Sequence, residues 1–170
     1  RRQRQMCIRD SSAPEGTCLP TIHNNTVRQH AAHGIFVRGA INGSIHNNDN
    51  RECAATGILV RESSHLAVTD NIVDTSGNGG ILIGIGEDDG TPTGANFVVT
   101  GNSVTASRVA GGVNIRGTGT MTVTDNTIID SDATGLSVDA PEGICVPTIT
   151  NNTIRLHGVH GIFVHGAVNG

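Results

Sequence analysis

The repeat that decides the fold is clearest in ITNNTIRLHGVHGIFV, which spans residues 149–164. In this stretch Asn152 is followed nine residues later by Gly161. The same Asn recurs at spacings of 23, 23, 31, 24 and 26 residues, at Asn25, Asn48, Asn71, Asn102, Asn126 and Asn152. A Gly follows each Asn after nine residues, or after ten in the fourth case, at Gly34, Gly57, Gly80, Gly112, Gly135 and Gly161. Self-similarity at such a period indicates a repeat architecture.

Aliphatic residues surround these two anchors at four fixed offsets. They lie three residues before the Asn, two residues after it, and one and three residues after the Gly. Of these 24 positions 23 are aliphatic, and Asn50 is the exception. A Gly-Ile-x-Val segment is typical of a short strand whose alternate residues face inward. A period of 23 residues suits a coil of short strands joined by turns.

The sequence therefore predicts an all-β fold, a single-stranded right-handed parallel β-helix, or solenoid, of about six coils. Stacked coils place like residues in register about 4.8 Å apart, and parallel crossovers are nearly always right-handed. We expect the six Asn residues to form a ladder in which each amide bonds to the Asn above and below. The recurring Gly is expected to adopt a backbone conformation that is costly for other residues.

The two ends of the chain suggest how the domain is organised. Residues 6–11, MCIRDS, resemble a translated sequencing adapter, so we interpret residues 1–12 as a non-native or disordered leader. Residues 13–170 are then the β-helix domain. Residues 13–43 resemble residues 140–170, which indicates a duplicated block of five coils. No cap is recognisable, so we expect a fragment of a longer metagenomic protein, truncated at both ends, that self-associates end to end.

Composition argues against several classes of function. The formal net charge is −4, and four of the 11 Arg residues lie in the first nine positions. Nucleic-acid binding is therefore not expected, because it requires clustered positive charge. No apolar run approaches the roughly 20 residues of a membrane-spanning helix. The chain has no Trp, no Tyr and only three Phe residues, which disfavours a deep cleft for stacking sugars.

The motif I/V-x-x-N-x-I/V followed by G-I-x-V resembles the right-handed β-helix repeat proteins of the pectin-lyase-like superfamily. The resemblance covers residues 18–170 and implies the fold, whereas the activities in that superfamily range from polysaccharide lyases and hydrolases to epimerases and phage tailspikes. The Asp cluster of the hydrolases and the Asp-Pro-His-Asp motif of the epimerases are missing. Asp70 and Asp125 precede ladder residues and are interpreted as turn formers. We therefore assign no catalytic residue.

The outward positions of the Gly-Ile-x-Val strands form the candidate binding face. The residues directly after these strands are Arg38, Arg61, Gly84, Arg116, Asp139 and His165. We predict that Arg38, Arg61, Arg116 and His165 bind acidic polysaccharide, because Arg can meet a carboxylate with two parallel hydrogen bonds. The alternative is that outward Arg residues only solubilise the sheet. In the second Gly-Ile-x-Val segment, residues 57–60, Leu59 is expected to point outward and Ile58 inward. Leu59→Ala is therefore expected to lower the free energy of unfolding much less than Ile58→Ala.

Metal binding has weaker support in the sequence. The longest insertion, residues 85–96, carries Glu87, Asp88 and Asp89, which are weak candidates for Ca²⁺ ligands. A solvated acidic loop is the alternative. The pairs His30 with His33 and His157 with His160 lack a third ligand, and hydrogen-bonded turn residues are the simpler interpretation. No other cofactor is expected.

These observations favour a non-catalytic module of an extracellular or cell-surface protein, which presents a polysaccharide- or surface-binding face. The expected location is secreted, cell-surface or periplasmic. A fragment of a polysaccharide lyase or uronate epimerase is one alternative, and a purely structural spacer or tailspike shaft is the other.

Overall fold

The computed structural model describes residues 7–8, 19–84, 94–140 and 145–166. Within these residues all regular secondary structure is β-strand, and 19 strands form three parallel sheets. Sheet A contains β1 (Cys7–Ile8), β4 (Ile35–Arg38), β7 (Ile58–Arg61), β10 (Gly79–Ile83), β13 (Gly111–Arg116), β16 (Leu136–Asp139) and β19 (Ile162–His165). Sheet B contains β2 (Thr21–His23), β5 (Ser44–His46), β8 (Ala67–Thr69), β11 (Ala95–Thr100), β14 (Thr118–Thr124) and β17 (Cys145–Thr150). Sheet C contains β3 (Thr26–His30), β6 (Asp49–Cys53), β9 (Ile72–Ser76), β12 (Ser103–Ser107), β15 (Thr127–Ser131) and β18 (Thr153–His157).

The chain passes through sheets B, C and A in turn, and each passage is one coil. Coil 1 consists of β2, β3 and β4, and the following coils repeat this order up to coil 6, which consists of β17, β18 and β19. Strand β1 precedes coil 1 and pairs with β4 at one end of sheet A. The predicted all-β solenoid of about six coils is therefore confirmed.

The core lies between the three sheets and is built from the aliphatic columns. Ile58 of coil 2, for example, lies in register between Ile35 and Ile81 of the adjacent coils and is 0% exposed. Successive side chains of a strand point to opposite faces, so the Gly-Ile-x-Val segments place their two aliphatic residues inside. The predicted in-register stacking of these columns is confirmed.

The predicted Asn ladder runs through all six coils. Each rung donates a hydrogen bond from Nδ2 to the Oδ1 of the next rung, and the five distances are 2.9, 2.9, 3.0, 2.9 and 2.9 Å. The same Oδ1 accepts the main-chain N–H of the preceding rung at 2.9–3.1 Å. The Nδ2 of Asn71 also donates to the carbonyl oxygens of Ile45 and Thr69. The side chains thus hydrogen-bond polar groups inside the rod that water cannot reach.

Two left-handed residues bend each coil on either side of the ladder. The residue before each rung has a φ of 54° to 67°, at Asn24, Asn47, Asp70, Gly101, Asp125 and Asn151. These are residue types that tolerate this conformation, and the interpretation of Asp70 and Asp125 as turn formers is confirmed. A second set lies four residues after each rung, with φ of 52° to 60°, at Gln29, Glu52, Thr75, Ala106, Asp130 and Leu156.

The reason expected for the recurring Gly is wrong. None of the described glycines of this column has a left-handed φ. The constraint is instead lack of space between coils, because a Cβ on Gly57 would clash with Cγ1 of Val73 and lie 2.9 Å from the carbonyl oxygen of Gly80. The next coil occupies the volume that any larger side chain would need.

The expectation that Leu59 is a solvent-facing residue is also wrong. Leu59 points away from the core columns, yet it is only 2% exposed. It lies beside Leu82 in the register of β7 and β10. Leu82 rests over Gly79, where a Cβ would lie 2.9 Å from its Cδ2 atom. The missing side chain at Gly79 therefore leaves room for an apolar cluster on the outside of sheet A.

The ladder predicts a graded loss of stability along the rod. Asn71→Ala should lower the free energy of unfolding by about 3 kcal/mol, because it leaves buried donors and acceptors of three coils without partners. Asn152→Ala should cost less, because Asn152 is half-buried and water can replace part of its hydrogen bonding. Urea titration of both variants checks this order, and equal losses would contradict the ladder's role.

The single break in the aliphatic columns predicts a stabilising substitution. Asn50 is 0% exposed, and neither its Nδ2 nor its Oδ1 has a hydrogen-bond partner. It lies in register between Val27 and Val73. Asn50→Val should raise the free energy of unfolding by about 1–3 kcal/mol, because the desolvation cost of the amide disappears. If Asn50→Val instead has a lower midpoint of thermal unfolding than the unchanged chain, the Asn50 amide has a hydrogen-bond partner.

The outer apolar cluster changes the expected ranking of two substitutions. Leu59→Ala should now destabilise by about 2–5 kcal/mol, as Ile58→Ala should, because both remove buried side-chain volume. Val98→Ala is the control, since Val98 points outward from β11 and is 40% exposed. Its cost should be about 0.5 kcal/mol or less. A Leu59→Ala loss as small as that of the control, measured by urea titration, would place Leu59 in solvent.

Candidate binding face on sheet A

The predicted binding residues lie in one column on the outer face of sheet A, which we call the sheet A face. Arg38 and Arg61 are register partners on β4 and β7, so their Cα atoms lie on adjacent coils. Two coils further along, Arg116 aligns with Asp139, and Asp139 aligns with His165. The parallel register of sheet A brings these residues together, and the prediction that they bind a ligand is not tested by this arrangement.

A two-pronged ion pair marks the first half of the face. Arg38 donates from Nε to Glu62 Oε2 at 2.6 Å and from Nη2 to Glu62 Oε1 at 2.8 Å. Glu62 follows β7 and has a φ of 48°, which turns the chain at the end of that strand. The parallel contacts fix the plane of the guanidinium group, because Nε and Nη2 both donate to the same carboxylate. Sequence reasoning missed Glu62.

The second half of the face is a triad of polar side chains from three coils. Arg116 Nε donates to Asp139 Oδ2 at 3.1 Å, and His165 Nδ1 lies 2.8 Å from Asp139 Oδ1. The Asp139 side chain is 19% exposed, whereas the His165 side chain is 60% exposed. Asp139 therefore contacts both Arg116 and His165, and the His165 side chain is more exposed than that of Arg116.

Aromatic contacts accompany the column in the two duplicated coils. The rings of His33 and Phe36 have centroids 5.8 Å apart, and their counterparts His160 and Phe163 have centroids 5.7 Å apart. Burial lowers the pKa of His33 from its ordinary value, and the charge of Arg61 lowers it further. Both effects favour the neutral form of His33.

The two members of each His pair have different surroundings. His30 is the register partner of buried Cys53, and His157 is the register partner of buried Ser131. Their sequence neighbours His33 and His160 instead contact Phe rings on the outer face.

Metal binding finds no support in the described part of the chain. Within it there is no group of three or more His, Cys, Asp or Glu side chains that could hold a metal ion. The Ca²⁺ candidates Glu87, Asp88 and Asp89 lie outside the described residues. Cys53 and Cys145 are buried free thiols, and burial raises the pKa of both. The described residues also include no helix long and apolar enough to cross a membrane.

Three stacked parallel sheets with an internal Asn ladder define a parallel β-solenoid. Comparison with protein families agrees, since the family described as “Right handed beta helix region” matches residues 6–97 and, in a second overlapping match, residues 42–169. The chain belongs to this family, which is consistent with its resemblance to the pectin-lyase-like superfamily. No curated protein and no solved structure matches the chain.

Proposed function

We propose that this β-helix is a non-catalytic module, located outside the cytoplasm, that binds acidic polysaccharide along the sheet A face. The observation that supports the proposal is the column of Arg38, Arg61, Arg116 and His165 on the outside of a rigid rod. Coils repeat about every 4.8 Å, so these four side chains lie along one line, which Gly84 and Asp139 interrupt. A linear polymer with a carboxylate on each sugar matches such a series better than a single small ligand does.

The ion pairs of the face bear directly on how such a ligand would bind. Glu62 orients the guanidinium of Arg38, and Asp139 orients both Arg116 and His165. A polymer carboxylate must compete with these internal carboxylates for the same donors. Binding should therefore be weak and should decrease with salt, since the interacting charges are partly exposed.

The same pairing supports a non-catalytic role. A lyase or epimerase needs a base that removes the proton next to the uronate carboxyl group. Among the described residues of the sheet A face, the carboxylates of Glu62 and Asp139 are each bound to an Arg side chain. Either carboxylate would have to leave its Arg partner before it could reach a substrate proton. The lyase or epimerase fragment and the structural spacer remain the alternatives to this proposal.

Binding of polygalacturonate to matched variants tests the proposal. The double change Arg38→Ala and Arg61→Ala should abolish binding measured by calorimetry at low salt. Glu62→Gln should strengthen it, because the competing negative charge of the Arg38 partner is removed. Arg28→Ala is the control, since Arg28 pairs with Asp49 on sheet C at 3.2 Å and lies away from this face. Circular dichroism should show that all variants keep the β-helix.

Two results would contradict the proposal. Binding that survives the double change would place the ligand away from Arg38 and Arg61. A rise in unsaturated-uronate absorbance with pectate or alginate would show turnover and favour the lyase. The proposed module should show no absorbance change and no measurable binding to a neutral glucan.

A further inference from the structure

Two of the three Phe residues of the chain lie on the outer face of sheet A. Phe36 and Phe163 stand between the two aliphatic residues of their Gly-Ile-x-Val segments, at the position that Leu59 has in coil 2. Phe97, the third, is only 1% exposed and belongs to the core. The chain contains no Trp and no Tyr. Apart from the histidines, Phe36 and Phe163 are therefore the outward aromatic rings that the chain offers to a ligand.

A His ring lies beside each outward Phe ring. His33 and Phe36 have ring centroids 5.8 Å apart and ring planes at 38°, and we call this pair the coil 1 platform. His160 and Phe163 have centroids 5.7 Å apart and planes at 18°, and they form the coil 6 platform. The Nδ1 atom of His33 also accepts the main-chain N–H of Thr56 at 3.4 Å, which ties the ring to coil 2. Each platform therefore presents a surface wider than a single ring.

A hydrogen-bonding side chain follows each platform on the same face of the sheet. Arg38 comes two residues after Phe36, so both side chains point outward from β4. Glu62 fixes the plane of the Arg38 guanidinium through contacts of 2.6 and 2.8 Å. His165 comes two residues after Phe163, and their ring centroids are 6.3 Å apart. Each platform thus has a group beside it that can donate to a carboxylate.

The combination of His, Phe and donor recurs once in five coils. It reads HGIFVR at residues 33–38 and HGIFVH at residues 160–165. The corresponding segments of the four coils between them carry no aromatic residue, and they read TGILVR (56–61), GGILIG (79–84), GGVNIR (111–116) and TGLSVD (134–139). At about 4.8 Å per coil, the two platforms lie about 24 Å apart along the rod.

We propose that the coil 1 and coil 6 platforms are two sugar-stacking subsites, which one chain of uronate sugars occupies together. The C–H groups on one face of a uronate ring pack against the His and Phe rings, while the carboxylate meets Arg38 or His165. This inference rests on the proposed binding of acidic polysaccharide and adds a minimum ligand length to it. A chain too short to span about 24 Å occupies one subsite, whereas a longer chain binds both and gains affinity through its high effective concentration at the second.

Oligogalacturonides of defined length test the proposal, with Phe36→Leu as the matched variant. Leucine fits this position, because Leu59 and Leu82 occupy it in coils 2 and 3. In the unchanged chain, calorimetry should show a dissociation constant that falls abruptly, by about tenfold or more, once the oligomer spans about 24 Å. Phe36→Leu should remove this step, because only the coil 6 platform can then hold a sugar ring.

Nuclear magnetic resonance locates the two subsites. A short oligogalacturonide should shift the imidazole signals of both His33 and His160 in the unchanged chain. In Phe36→Leu it should shift the signals of His160 alone, and Phe163→Leu should give the converse result. His46 is the internal reference, because it lies on sheet B and its signals should not move.

An affinity that rises smoothly with oligomer length would overturn the proposal, as would a Phe36→Leu variant that keeps the abrupt step. Failure of the proposed function has a different signature. If polygalacturonate does not bind the unchanged chain, both the function and the subsites are wrong. If Arg38→Ala with Arg61→Ala abolishes binding while Phe36→Leu leaves it unchanged, only the stacking subsites are wrong.

Discussion

The structure depends on the hydrogen bonds between successive Asn side chains. A coil of this rod cannot fold alone, because its strands find their partners only in the coils above and below. The ladder joins these coils at one angular position, and Asn71 alone contacts main-chain or side-chain groups of coils 2, 3 and 4. Each rung requires the next rung directly beside it. The ladder therefore sets the register that the aliphatic columns and all three sheets share.

That register is also what assembles the sheet A face. Arg38 and Arg61 are 23 residues apart in sequence, yet the stacking makes them direct neighbours. The same stacking brings Arg116, Asp139 and His165 together from three coils. Because the rod is built from one repeated coil, the side chains at equivalent outward positions of successive coils line up along its axis. The proposal of a linear ligand rests on this alignment.

The parts that were predictable from sequence are those that repeat with the same residue type. The Asn rungs recur in every coil and the aliphatic columns recur with the single exception of Asn50, so their partners could be inferred without coordinates. The left-handed position occupied by Gln29, Thr75 and Leu156 has no common side chain, and no residue preference revealed it. The Arg38–Glu62 pair and the burial of Leu59 depend on contacts between single side chains of adjacent coils. A periodic pattern carries no information about such contacts.

The direct test of the account is the proximity of successive rungs in solution. Side-chain amide protons of Asn48 and Asn71 should show mutual nuclear Overhauser effects, because Asn48 Nδ2 lies 2.9 Å from Asn71 Oδ1. They should also exchange slowly with solvent, since both side chains are buried. The account predicts such contacts between each pair of neighbouring rungs. Amide protons that contact only residues of their own coil and exchange rapidly would contradict it.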